Sequence, residues 1–398
     1  MPSLRNTRSL CAIAFAAACG PLQAAESQSG TAFNPKISLI LNGTYAHYDA
    51  NAPARIGGFL LGDETELTPS GLSLGETELA IESNIDTDFH GWAAISVEPD
   101  GSVGVEEAYI NTLALPHGLA LKFGRFKSDI GYQNHIHAHA WEFADAPLAY
   151  RAMLGTQLQD DGVQLRWLAP TDLFWEVGAE GFRGAAFPAG GDDRSGVKTK
   201  TVFTHIGGDF NDSSSWRVGL SFLDASADHR DTEEQNLTTD FDGNSRTGIV
   251  DLVYKWAPHG NVDVTNFLFN AEFLHRHEYG DVVGDVGGTH DASSYRGTQD
   301  GGYAQGVYQF LPRWRAGLRY DWLQARNTLD TPAASLANLA DDGHAAQRYS
   351  VMGDYSNSEF SRFRLQYNRD LSRPNHEPDN QVLVQYIFSL GSHPAHQF

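Results

Sequence analysis

The sequence predicts an all-β fold, an antiparallel transmembrane β-barrel of about sixteen strands with a long third loop folded into the lumen. Three observations carry that prediction. Apolar and polar residues alternate with a period of two through about sixteen segments of roughly ten residues, the length that crosses an outer membrane when tilted by about 45°. The connections between these segments are alternately short and long, with 99–102 the one exception. The chain also holds 40 glycines with 8 Trp, 15 Tyr and 22 Phe, at a mean hydropathy of −0.37. Such a value excludes a helical membrane protein but suits a barrel, in which only every second strand residue meets lipid.

Residues 1–24 read as a secretory signal peptide. Arg5 and Arg8 precede a short apolar run from Leu10 to Ala18, and Leu22-Gln23-Ala24 forms the cleavage site. The run is too short to span a bilayer as a helix. Both cysteines, Cys11 and Cys19, lie within residues 1–24, so the barrel domain, 25–398, has no disulfide framework or thiolate site. Loss of the two basic residues in 1–24 takes the net charge from −22 to −24. That charge argues against nucleic acid as a partner and fits a surface meeting cations, outer-membrane lipid or divalent-bridged lipopolysaccharide.

The first strand spans residues 36–48, with Ile37, Leu39, Leu41 and Tyr45 on one face and Ser38, Asn42 and Thr44 on the other. A glycine-rich connection leads to a second, where Thr77, Leu79, Ile81 and Ile85 alternate with Glu76, Glu78, Glu82 and Asp86. Four carboxylates on one face are intolerable in a dry core but cost little beside a watery lumen. The same pattern recurs near 89–98, 103–115, 119–127, 161–169, 173–182, 201–210, 216–223, 248–256, 262–275, 302–310, 313–323, 348–356, 361–369 and 381–390. Long loops are expected at 49–72, 128–160, 183–200, 224–247, 276–301, 324–347 and 370–380, and they define the outer side of the membrane. The acidic runs from Asp228 to Glu234 and Asp240 to Asp242 then read as solvated loop charge. Trp167, Trp175, Trp216, Trp256, Trp314 and Trp322 share the apolar parity near strand ends, as interfacial girdles do. A soluble β-sandwich is the competing reading, disfavoured by the strand number and the consistently charged second parity.

The inward parity offers a channel constriction. Lys122, Arg315, Arg319, Arg362 and Arg364 form a basic rail facing Glu76, Glu78 and Glu82. Opposed walls of this kind set a transverse field that orients dipolar solutes. Segment 124–150 stands apart from the strand pattern, with alternate histidines His135, His137 and His139 followed by Glu142 and Asp145. Neutral imidazoles with a carboxylate suit Zn²⁺, although only two of three alternate histidines reach one ion in an extended or a helical segment. The simpler reading is three hydrogen-bonding histidines in a wet pore. No G-x-S-x-G, H-E-x-x-H or P-loop pattern occurs, so the expectation is a protein that is not an enzyme.

Several segments carry a family likeness. Phe33-Asn34-Pro35-Lys36-Ile37-Ser38-Leu39-Ile40-Leu41, Val105-Glu106-Glu107-Ala108-Tyr109 and Leu115-Pro116-His117-Gly118 are among them. So are Gly124-Arg125-Phe126, Gly131-Tyr132-Gln133-Asn134-His135, Pro147-Leu148-Ala149-Tyr150, Trp167-Leu168-Ala169-Pro170-Thr171-Asp172 and Ser389-Leu390-Gly391-Ser392-His393. Together they resemble the zinc-regulated outer-membrane proteins of Gram-negative bacteria, relatives of the phosphate-selective porins. The resemblance implies a sixteen-stranded porin in the cell outer membrane, often a homotrimer, passing small solutes or ions by passive diffusion with a link to zinc. No cofactor is required, and Zn²⁺ is the one candidate. The alternative is a TonB-dependent-type or metal-binding receptor for zinc uptake, but residues 25–35 are too short for a plug domain.

Overall fold

The computed structural model describes residues 35–391 apart from 51–54, 63–64, 66, 76, 99–100, 192–194, 235–236, 287, 341–342 and 374–376. The expected signal peptide and Glu76 therefore lie outside the described residues. Period-two alternation produces an antiparallel sheet in which every strand pairs with its sequence neighbour. Lys36–Tyr48 closes the ring by pairing with Asp379–Gly391, from Ser38 opposite Gly391 to Tyr48 opposite Gln381. Gly71–Leu74 and Thr77–Asn84 both pair with the first strand and are two halves of one barrel strand. The result is a closed sixteen-stranded antiparallel barrel.

Side-chain burial follows the pleat. Leu220 (55% exposed), Val250 (47%), Leu318 (68%) and Leu365 (50%) point away from the barrel, whereas their strand neighbours Asp251, Arg319 and Arg364 are buried inside it. An apolar outside with a charged inside is the arrangement of a barrel in an outer membrane. Among the described residues no helix is long and apolar enough to cross a membrane.

Two expected loops prove to be strand. Segments 224–247 and 276–301 belong to the hairpins Ser214–Glu234 with Leu237–Trp256 and Asn266–Val286 with Thr289–Leu311. These strands run 20 to 23 residues, about twice what a membrane crossing needs. The extension persists because it has its own core. Leu60, Ala227, Phe241, Val282, Tyr295, Leu336 and Leu339 pack together, and the short helical turn Ala334–Leu339 lies against the two later strands. The acidic residues of 228–242 sit on this protruding sheet rather than on loops.

The lumen is also less watery than the sequence suggests. Segment 128–158 leaves the strand Leu119–Lys127 and returns at Gln159–Leu168, carrying helix α1 (Leu148–Leu154) into the ring. Helices this short are not stable alone, so packing has to hold this one. Its Leu148, Tyr150, Met153 and Leu154 are buried with Ile56 and Phe59 against Leu223, Ile249, Leu274 and Leu323 of the barrel wall. Gly155 ends it in the left-handed conformation (φ 61°), and Asp321 accepts the Leu148 N–H at 2.9 Å.

Candidate functional site

The site is built from one loop and two facing walls. Asn134 fixes the loop's shape at its base. Its Nδ2 donates to the carbonyls of Ser128 (2.8 Å) and Leu158 (2.9 Å), and its Oδ1 accepts the Leu158 N–H at 2.7 Å. Gly131 turns the chain at φ 66°, where a Cβ would run into Glu272 Oε2. Glu272 accepts the N–H groups of Tyr132 and Gln133 and the hydroxyls of Tyr150 and Tyr303.

On one side the basic rail holds the loop. Arg319 and Arg348 bind the Asp145 carboxylate at 2.5 and 2.9 Å and share Asp321. Arg315 lies between Glu142 (2.9 Å) and Asp354 (2.7 Å). Arg362 donates to the His139 carbonyl and Arg364 to the Trp141 carbonyl. The rail expected to line a constriction therefore clasps the loop instead. Burial alone would push the Asp145 carboxyl up, but Arg348 and Arg319 outweigh it and hold it well below the usual carboxylate range. Glu142 and Asp145, expected as metal ligands, are thus engaged with arginines and lie outside the histidine cluster.

On the other side stand carboxylates. His137 Nδ1 is 2.9 Å from Glu78 Oε2 and its Nε2 is 2.9 Å from Glu107 Oε2. Glu106 Oε1 lies 3.3 Å from His137 Nδ1 and 2.5 Å from Lys127 Nζ. His139 Nδ1 is 3.4 Å from Glu78 Oε2. Burial and Lys127 work to lower the His137 pKa, yet Glu106 and Glu78 prevail and it stands well above the ordinary histidine value. His135 is separate. Burial pushes it down to about 3 against the opposing pull of Asp129, and its Nδ1 has no hydrogen-bond partner.

Of the remaining expected constriction residues, Lys122 lies 5.0 Å from the ring centres of Tyr109 and Phe126, and Glu82 pairs with Lys36 at 2.9 Å. Glu82, His90, Trp92, Lys122 and Arg166 are only half-buried, so the water-accessible part of the lumen runs beside the strands between Thr77 and Leu168. Arg348, Glu106 and Glu107 are functional candidates that sequence reading missed. Arg348 shares the inward parity of Asp354 and was legible on that ground. Glu106 was not, because a strict alternation cannot turn two successive residues inward.

A closed sixteen-stranded antiparallel barrel, apolar outside and charged within, is the architecture of an outer-membrane β-barrel protein. OmpTdeltaL8, a loop-deletion mutant of the outer membrane protein OmpT of Vibrio cholerae, has this fold, with a TM-score of 0.53, 11% identity, and coverage of 89% of this chain and 99% of that one. The outer membrane channel DcaP of Acinetobacter baumannii matches with a TM-score of 0.51 and 14% identity over 90% of this chain and 97% of its own. No model of a known protein family matches the sequence. A curated protein of Aquifex aeolicus (strain VF5), itself uncharacterized, is 30% identical over 397 residues, covering 93% of this chain and 81% of that protein, and the chain belongs to its family.

Proposed function

We propose that this protein is an outer-membrane channel through which small solutes and ions pass down their gradients, with segment 128–158 setting the narrowest cross-section. The carrying observation is the division of the lumen: helix α1 of the loop packs dry against Leu223, Ile249, Leu274 and Leu323, while Glu82, His90, Lys122 and Arg166 on the other wall stay half-exposed beside the loop. Glu142, Asp145, Asp321 and Asp354 pair with Arg315, Arg319, Arg348 and Arg364, which, in a chain of net charge −22, supports a cation preference over an anion ladder. Among proteins of this fold, DcaP is an outer membrane channel, in keeping with the proposal. Sixteen strands fall short of the ~22 of plugged energised transporters, so the TonB-dependent alternative is not favoured. The convergence of His137, His139 and Glu78 is what favours a link to zinc.

The partners follow from the outer face. Register sets Lys200, Asp224, Arg246, His277, Thr298 and Arg326 side by side across six strands, a cation-rich row fitted to the phosphates of lipopolysaccharide. A homotrimer is proposed by analogy with OmpT of Vibrio cholerae, which has a trimer form. The channel reading is tested by planar-bilayer recording of the purified protein. Discrete conductance steps are expected; silence at every voltage would replace the channel with a purely structural barrel.

A further inference from the structure

The inner wall contains a departure from the pleat that the barrel does not need. Between Thr77–Asn84 and the loop lies the hairpin of Phe89–Val97 and Val103–Thr112, whose register shifts between Ala94, opposite Glu107, and Ile95, opposite Val105. Glu106 is the extra residue of a β-bulge. Because of it, two successive residues, Glu106 and Glu107, are both buried on the inner side, each less than a tenth exposed. Bulges interrupt the hydrogen-bonded ladder and are found where a strand must re-aim a side chain. Here the re-aimed side chain is a carboxylate, placed beside two others and a pair of imidazoles.

That grouping is unbalanced in charge. Glu78, Glu106 and Glu107 are three buried carboxylates grouped around Lys127 and His137, so one negative charge is left over even when both of those carry a proton. Such an excess is costly away from water and is met in proteins by a bound cation. One atom is already spare: Glu106 Oε2 is buried and has no hydrogen-bond partner.

The donors have the spacing of a coordination sphere. Glu78 Oε2, His137 Nδ1 and His139 Nδ1 lie within 4.8 Å of one another, with separations of 2.9 Å and 3.4 Å between the carboxylate and the two nitrogens. Tetrahedral zinc with ligands at about 2.0–2.2 Å sets its donors roughly 3.3–3.6 Å apart, so shifts of a few tenths of an ångström would admit the ion. Glu107 completes the arrangement from outside the sphere. It holds the far nitrogen of His137 at 2.9 Å, the carboxylate–histidine pairing that fixes the ring of a metal ligand.

We propose that Glu78, His137 and His139, with Glu106 as the fourth ligand, form a binding site for a divalent transition metal of zinc type. The ion joins the inward loop to the wall opposite the arginine clasp, and the site exists whether or not the barrel conducts. Glu107 is a positioning residue for His137.

The test uses the full-length barrel, refolded in detergent, with heat-modifiable migration as the check on folding. Zn²⁺ titration calorimetry is run on wild type, His139→Ala and Glu107→Gln, and Co²⁺ absorption reports the ligand sphere. The expected result is one class of sites lost, or weakened at least 100-fold, in His139→Ala. Glu107→Gln, which removes only the support, should weaken it about 10–100-fold. His139 is on the loop and not in the barrel wall, so its replacement leaves the barrel able to fold. The Asp228, His229 and Asp242 group is common to all three proteins and cancels in the comparison. Coincident heats for wild type and His139→Ala, or a Co²⁺ spectrum indifferent to both substitutions, would overturn the site. Equal competition by Ca²⁺ would overturn it too, since it would mean that carboxylates alone hold the ion.

Discussion

At the scale of single residues, Asp145 is the point on which the clasp turns. It accepts from Arg319, Arg348, Gln366 and Asn368, and removing its charge leaves two buried guanidinium groups short of a partner. Breaking a buried pair in this way costs about 3–5 kcal/mol. Asp145→Asn is therefore expected to free the loop, seen as faster proteolytic cutting within 128–158 of the folded barrel and as larger conductance steps. Unchanged cutting would show that the clasp is dispensable. The folded pKa is depressed, so the stabilisation is complete above the unfolded value of about 3.9 and is lost only as pH falls through the lower folded value. Loop protection in wild type should thus be flat from pH 7 to pH 5. A loss of protection already at pH 5 would assign the clasp to other groups. The inward parity of these residues was legible in the sequence. Their partners were not, because a charge on residue 319 and one on residue 145 are joined only by where a distant loop comes to rest.

At the scale of elements, alternation located the strands well and their ends poorly. Nothing in a polar, glycine-containing run such as 238–248 separates a loop from a hairpin standing above the membrane, because both avoid apolar outer faces. What decides is the inner row, Ala227, Phe241, Val282 and Tyr295, and its apolar partners come from segments far away in sequence. Helix α1 was missed for a related reason: seven residues after a proline give too short a pattern to show a helical period. Its buried face yields a prediction. Met153→Ala and Leu154→Ala each remove a fully buried side chain, at about 2–5 kcal/mol. Each should raise the loop's susceptibility to protease while heat-modifiable migration of the barrel stays as in wild type. Loss of the folded band would mean that α1 is required for the ring itself.

At the scale of the whole molecule, the sign of the ionic preference separates two ways of using the arginines. If they were free in the lumen, anions would be favoured; held by Glu142, Asp145, Asp321 and Asp354, they leave the sign of the field to the chain's net negative charge. Reversal potentials across a KCl gradient are expected to show K⁺ preferred over Cl⁻, and Asp145→Asn should shift the balance toward Cl⁻. A wild type that prefers anions would contradict the assignment of the rail to the loop.

The loop touches Glu78 on the second strand and Arg364 on the fifteenth, regions that approach each other only when Lys36–Tyr48 meets Asp379–Gly391. An open, half-assembled sheet can offer it one bank or the other, never both. The narrowing of this barrel is consequently tied to its seam: only the sealed cylinder presents both banks to the loop at once.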